Sequence, residues 1–103
     1  MWLKMPRPRR CRRIGNTPDT TYFKPTGIPM RDLEEITISL VELESVRLKD
    51  LLKLDQNECA TKMDISQPTF HRLLNSARNK ISDALVNGKA IKIQGGNYKI
   101  HRE

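Results

Sequence analysis

The sequence predicts a mainly α domain, in which a three-helix core containing a helix-turn-helix follows a basic extended arm and ends in a small C-terminal β-hairpin. Three observations predict it. Five of the six prolines fall within the first 29 residues, which forbids a long helix there. Between residues 39 and 66, three helix starts are each marked by a Ser or Asp of capping type. Near the end, two alternating apolar–polar runs flank Gly95-Gly96. The arm is assigned to residues 1–29 and the helix-turn-helix domain with its hairpin to 30–103.

In the arm, Arg7, Arg9, Arg10, Arg12 and Arg13 crowd around Pro6, Pro8 and Cys11. Tyr22-Phe23-Lys24-Pro25 is suited to anchor its end on the core. Ile36-Thr37-Ile38 is β-branched and alternating, so a short strand is expected there. Ser39-Leu40-Val41-Glu42 has the form of a capping box, in which the serine oxygen accepts the amide three residues on and the glutamate reaches back. It opens a first helix over 40–52, whose inner stripe is read as Leu40, Leu43, Val46 and Leu51. Asp55-Gln56-Asn57-Glu58 has the same form and opens a short second helix, Gln56–Met63, with Cys59, Ala60 and Met63 inward. Ser66 caps a third helix running to about Val86, and Pro68 sits in its first turn, where a missing amide costs little. Phe70, Leu73, Leu74, Ala77, Ile81, Ala84 and Leu85 form its apolar stripe. Asn87-Gly88 ends it. With Gly95-Gly96 as a two-residue turn, Ile93 faces Tyr98 and Lys92 faces Lys99 across the hairpin.

Composition bounds the function. A chain of 103 residues has room for one modest core. No apolar run approaches the roughly 18 residues of a membrane span, and the N-terminus lacks the apolar stretch of a secretory signal. A cytoplasmic location without membrane association is therefore expected. The net charge of +7 is unevenly spread: residues 1–30 carry +6, 31–58 carry −4 and 59–103 carry +5. A polyanion is the expected partner, with the acidic middle turned away from it. The two cysteines, Cys11 and Cys59, form no C-x-x-C pair, so neither a disulfide framework nor a cysteine-pair zinc site is expected. Cys59 reads as a core residue, whereas the arginines around Cys11 favour its thiolate. No cofactor, metal, small-molecule substrate or enzymatic activity is expected, because no phosphate-cradling glycine loop, nucleophile motif or ligand cluster is present.

Two helices joined by a short turn constitute a helix-turn-helix. Here the second helix ends at Met63, Asp64-Ile65 make the turn with Ile65 wedged inward, and Ser66 starts the third. That leaves Gln67, Pro68, His71, Arg72 and Asn75 on or near the outer face of the helix's first turns, where a recognition helix meets base edges in the major groove. Arginine can pair with guanine, and asparagine or glutamine with adenine. Ser66, Thr69, Arg78 and Lys80 are read as phosphate contacts, together with the arm arginines. Lys92 and Lys99 complete the set if the hairpin acts as a wing. The alternatives left open are a protein-interaction module built on the acidic segment and an RNA-binding protein using the arginine-rich arm.

The residues from 40 to 85 resemble the helix-turn-helix of region 4 of bacterial sigma factors. The stretch from Met5 to Tyr98 resembles more closely the prokaryotic uncharacterised protein family 0251, also called domain of unknown function 134. The residues that carry this are Pro6-Arg7-Pro8-Arg9-Arg10-Cys11-Arg12-Arg13-Ile14, Tyr22-Phe23-Lys24-Pro25 with Gly27 and Pro29, Glu42-Leu43-Glu44-Ser45-Val46-Arg47-Leu48, Ser66-Gln67-Pro68-Thr69-Phe70, Ala77-Arg78, and Gly88-Lys89-Ala90 with Gly95-Gly96-Asn97-Tyr98. The resemblance implies double-stranded DNA binding and transcriptional regulation. Such modules commonly act as dimers, so a homodimer is the second expected partner, with the rear of helix three and the hairpin available for the contact. Families of this type often place Gly in both inter-helix turns; here Lys53 and Asp64 stand there, which puts the angle between the first two helices in question.

Overall fold

The structure is a computed structural model that describes residues 12–100. Its elements are β1 (Arg12–Ile14), β2 (Tyr22–Phe23), β3 (Glu35–Ile38), α1 (Leu40–Val46), α2 (Gln56–Met63), α3 (Gln67–Asn87), β4 (Ala90–Ile93) and β5 (Tyr98–Ile100). Three helices thus combine with short strands in two small sheets. About half of the described residues are helical, and the fold is mixed α/β rather than mainly α.

The strands do not pair as a hairpin. β4 lies in the middle of a three-stranded sheet, antiparallel to β2 and parallel to β3, with Ile91 beside both Phe23 and Ile36. β5 pairs in parallel with β1, with Arg12 beside Tyr98 and Arg13 beside Lys99. Ile93 therefore does not face Tyr98, nor Lys92 Lys99. Two stronger partners explain the difference: β3 offers β4 four matched positions, and β1 offers Ile14, which is completely buried. Gly95-Gly96 serves another purpose. The Gly95 carbonyl accepts the amide of Leu40 at 3.0 Å, satisfying one of the donors left open at the start of α1. The segment assigned to the arm supplies β1 and β2 to the two sheets; Arg7, Arg9, Arg10 and Cys11 lie outside the described residues.

Ser39 caps α1 with the complete capping box, accepting the Glu42 amide at 3.1 Å while Glu42 accepts the Ser39 amide at 2.9 Å. After Val46 the helix widens into a π-helical turn, Arg47–Leu51, closed by a bond from the Leu52 amide to the Arg47 carbonyl. The extra residue per turn shifts the helical phase of the residues within and after it. Val41, Ser45 and Leu48 face inward at ordinary helical spacing, Leu40 and Leu43 are half-buried, Val46 is half-buried but packs on the core, and within the widened turn Leu51 is 72% exposed. On α2 the cap is one-sided: Asp55 accepts the Glu58 amide at 2.8 Å. Val41, Leu48, Cys59, Ala60, Met63, Phe70 and Leu74 form the core, with Leu54, Ile65, Leu73 and Tyr98 packed against it. Cys59 is fully buried, and burial raises its thiol pKa. The three-stranded sheet packs on the C-terminal half of α3 and β1 on α1 and α2. Ala84 is buried at the end of α3, but Leu85, expected inside, lies on the outer side and is 75% exposed. Among the described residues no helix is long and apolar enough to cross a membrane.

Candidate nucleic-acid interface

The outer face of α3 is positioned by the turn that precedes it. α2 stops at Asp64, which adopts the left-handed conformation (φ 57°, ψ 47°) and directs its amide back to Ala60 and Thr61. The Ile65 amide bonds the Ala60 carbonyl at 3.0 Å, and the Ile65 side chain packs on the core. This closes the end of α2 in two residues. Ser66 then caps α3 by accepting the Thr69 amide at 3.3 Å, with Pro68 in the first turn. Lys53 (φ 62°) closes the preceding connection in the same left-handed way. Both positions where glycine is common in such families thus hold the conformation glycine favours.

Gln67, Pro68, His71, Arg72 and Asn75 are all exposed, and their helical spacing places them on one face. Hydrogen bonds along that face hold the side chains in place. Gln67 Nε2 donates to Asn57 Oδ1 on α2 at 3.2 Å, tying the starts of the two helices together. Arg72 Nη2 donates to Thr69 Oγ1 at 3.3 Å, and Ser66 Oγ to the same oxygen at 2.9 Å. Asn75 Nδ2 and His71 Nε2 lie 3.1 Å apart. The bond with Asn75 as donor requires an unprotonated Nε2. Arg12, on β1, lines a shallow depression with Asp64, Ile65, Ser66 and Thr69, so one expected backbone cation sits at the start of α3.

Two other expected phosphate contacts have carboxylate partners. Arg78 forms a two-point pair with Asp50, at 2.5 and 3.1 Å, which lowers the Asp50 pKa and raises that of Arg78. Lys80 bonds Glu42 at 3.0 Å. Lys92 is half-buried on the central strand between Tyr22 and Thr37, and Lys99 is exposed on the other sheet. The two lysines are not brought together, and no wing is formed by them.

Sequence reasoning missed the buried carboxylates. Glu42 bonds Ser39, Ser76 and Lys80, joining the start of α1 to the middle of α3. Burial pushes its pKa up, but the Ser76 hydroxyl, the Ser39 amide and Lys80 outweigh that, and the net shift is downward. Glu44 accepts the Gly15 amide at 2.8 Å and a two-point pair from Arg47, fixing the loop after β1 to α1. Only the capping role of Glu42 had a signal in the sequence. Asn57 was also missed, as a surface polar residue of α2. Among the described residues no cluster of His, Cys, Asp and Glu is placed to hold a metal ion.

The model of the family described as "Protein of unknown function DUF134" matches residues 2–101. A UPF0251 protein of Thermoanaerobacter sp. (strain X514) is 54% identical over 99 residues, covering 96% of this chain and 88% of its own. A UPF0251 protein of Caldanaerobacter subterraneus subsp. tengcongensis is 57% identical, covering 96% and 84%. One of Dehalococcoides mccartyi (strain BAV1) is 55% identical, covering 93% and 82%. No solved structure matches the chain.

Proposed function

We propose that this chain, which belongs to the DUF134 family, is a non-enzymatic, sequence-specific double-stranded DNA-binding protein that regulates transcription. In this reading α2, the Asp64-Ile65 turn and α3 act as a helix-turn-helix like that of sigma-factor region 4, on a domain free in the cytoplasm. The observation that carries it is the exposed face of α3. Gln67, His71, Arg72 and Asn75 project hydrogen-bonding groups from one side of its first three turns, and the Asn57–Gln67 bond braces that side from α2. Such an array of donors and acceptors on a helix matches the pattern of base edges in the major groove. Pro68 offers an apolar contact. Arg12, Ser66 and Thr69 meet backbone phosphates at the start of the helix, and Arg7, Arg9, Arg10 and Arg13 extend the contact along the duplex. Arg78 and Lys80 join only by exchanging their carboxylate partners for phosphate.

Selection of bound duplexes from a random pool tests the reading directly. A single enriched motif is expected. Arg72→Ala should cost about 1–3 kcal/mol on that motif and relax preference at one base pair. Arg12→Ala should weaken every sequence alike and reduce the salt slope by about one. An unenriched pool, or tighter binding to RNA than to duplex DNA, would overturn it.

A further inference from the structure

The exposed side of α3 changes chemistry along its length. Beyond Arg78 it presents Leu85 and Val86, 75% and 82% exposed. Two grooves adjoin this end of the helix, and Leu85 lines one of them. One is lined by Phe23, Lys24, Pro25, Leu85, Lys89 and Ile91. The other is lined by Ile28, Asp32, Leu33, Glu34, Asn87 and Lys89. Gly88 and Lys89 belong to both, so the grooves form one continuous surface around the end of the helix. Gly88 takes a left-handed conformation (φ 67°) with open space where a side chain would stand, which keeps the junction low.

The grooves are opposite in charge. The Lys24 ammonium bonds the carbonyls of Pro25 and Ile28 and has no carboxylate partner among the described residues. Asp32, across the junction, has no cationic partner among them. Lys89, where the grooves meet, is neutralised by Asp83 and Glu34, at 3.0 and 3.2 Å. A two-fold axis lying in a contact plane sets each point of one copy against the point on the opposite side of the axis in the other. With the axis passing at Gly88, the Lys24 groove of one copy meets the Asp32 groove of the other, twice.

We infer that this face binds a second copy of the chain, forming a two-fold dimer. In it, the two Leu85–Val86 knobs are covered and Lys24 of each protomer pairs with Asp32 of the other. Dimerisation through this face does not depend on DNA binding, because neither groove includes Gln67, His71, Arg72 or Asn75.

Sedimentation equilibrium of the full chain, with far-UV circular dichroism as a fold control, tests it. The wild type should be dimeric at micromolar concentration. Leu85→Asp, at a site too exposed to matter for folding, should raise the dimer dissociation constant on the order of tenfold or more. Lys24→Glu and Asp32→Lys should each weaken the dimer severalfold. The double variant, which exchanges the two charges across both contacts, should recover most of the wild-type affinity. A monomeric wild type at about 100 μM would overturn the inference. So would a dimer indifferent to Leu85→Asp, or a double variant weaker than either single one.

Discussion

Lys53 and Asp64 hold a backbone conformation that costs an ordinary side chain about 1–2 kcal/mol, at φ values of 62° and 57°. Asp tolerates it better than Lys, because its short polar side chain can bond locally. Lys53→Gly should therefore stabilise the domain by about 0.5–1 kcal/mol, net of the entropy glycine loses on folding, and Asp64→Gly by less. Urea denaturation read as a change in midpoint at constant slope would measure both. Glu42 is the other residue with a definite energetic signature. Its folded pKa lies below that of an ordinary glutamate. Its stabilising contribution is accordingly complete above the unfolded pKa and lost as pH falls through the folded one. Asp50, held low first by Arg78, and Asp83, held low first by Asn87 and then by Lys89, act in the same direction. Glu42→Gln should cost about 3 kcal/mol at neutral pH, because Lys80 and Ser76 lose an ionised acceptor. It should also flatten the acid limb of a plot of melting temperature against pH.

Gly95-Gly96 shows how an element can be visible while its partner is not. Its flanking runs alternate as hairpin strands do, yet its backbone turns (φ 80° and 101°) so that the Gly95 carbonyl meets the start of α1. A β-carbon on Gly96 would lie 3.2 Å from both Ser39 Cβ and Val41 Cγ2. Gly96→Ala should thus destabilise by more than about 1 kcal/mol, whereas a simple exposed turn would tolerate it. A thermal melt distinguishes the two. What was legible in the sequence were local devices: the Ser39 box, the Ser66 cap with Pro68, and the turn at Asp64-Ile65. Each is fixed by residues within a few positions of one another. The exposed set Gln67, His71, Arg72 and Asn75 was legible for the same reason, since helical phase alone places it. Strand partners were not, because β3 and β1 compete for β4 and β5 from more than fifty residues away. Helical phase also failed at Leu51, where the π-helical turn shifts it, and at Leu85, because the buried side of the last turn is centred on Ala84. Buried Glu42 and Glu44 escaped because a charged residue reads as solvent-facing until its partners are known.

Across the whole molecule, the first and last described strands are neighbours. β1 and β5 pair in parallel, Ile14 beside Ile100, and Tyr98 packs on the helical core. Ending the chain at Gly96, which removes both β5 and the Asn97 carbonyl that accepts the Arg12 amide, should therefore free the β1 amides to exchange with solvent while those of α3, whose bonds are internal, stay protected. Hydrogen exchange read residue by residue would show it, and unchanged protection at Ile14 would refute it. The same closure has a consequence in time. On a ribosome β1 is made before the three helices but seated after them, because β5, the strand it pairs with, follows all three. The three helices can gather as they emerge, but β1 must wait until β5 has been made. Its docking then requires closing a loop almost as long as the domain, which makes it the late step of maturation.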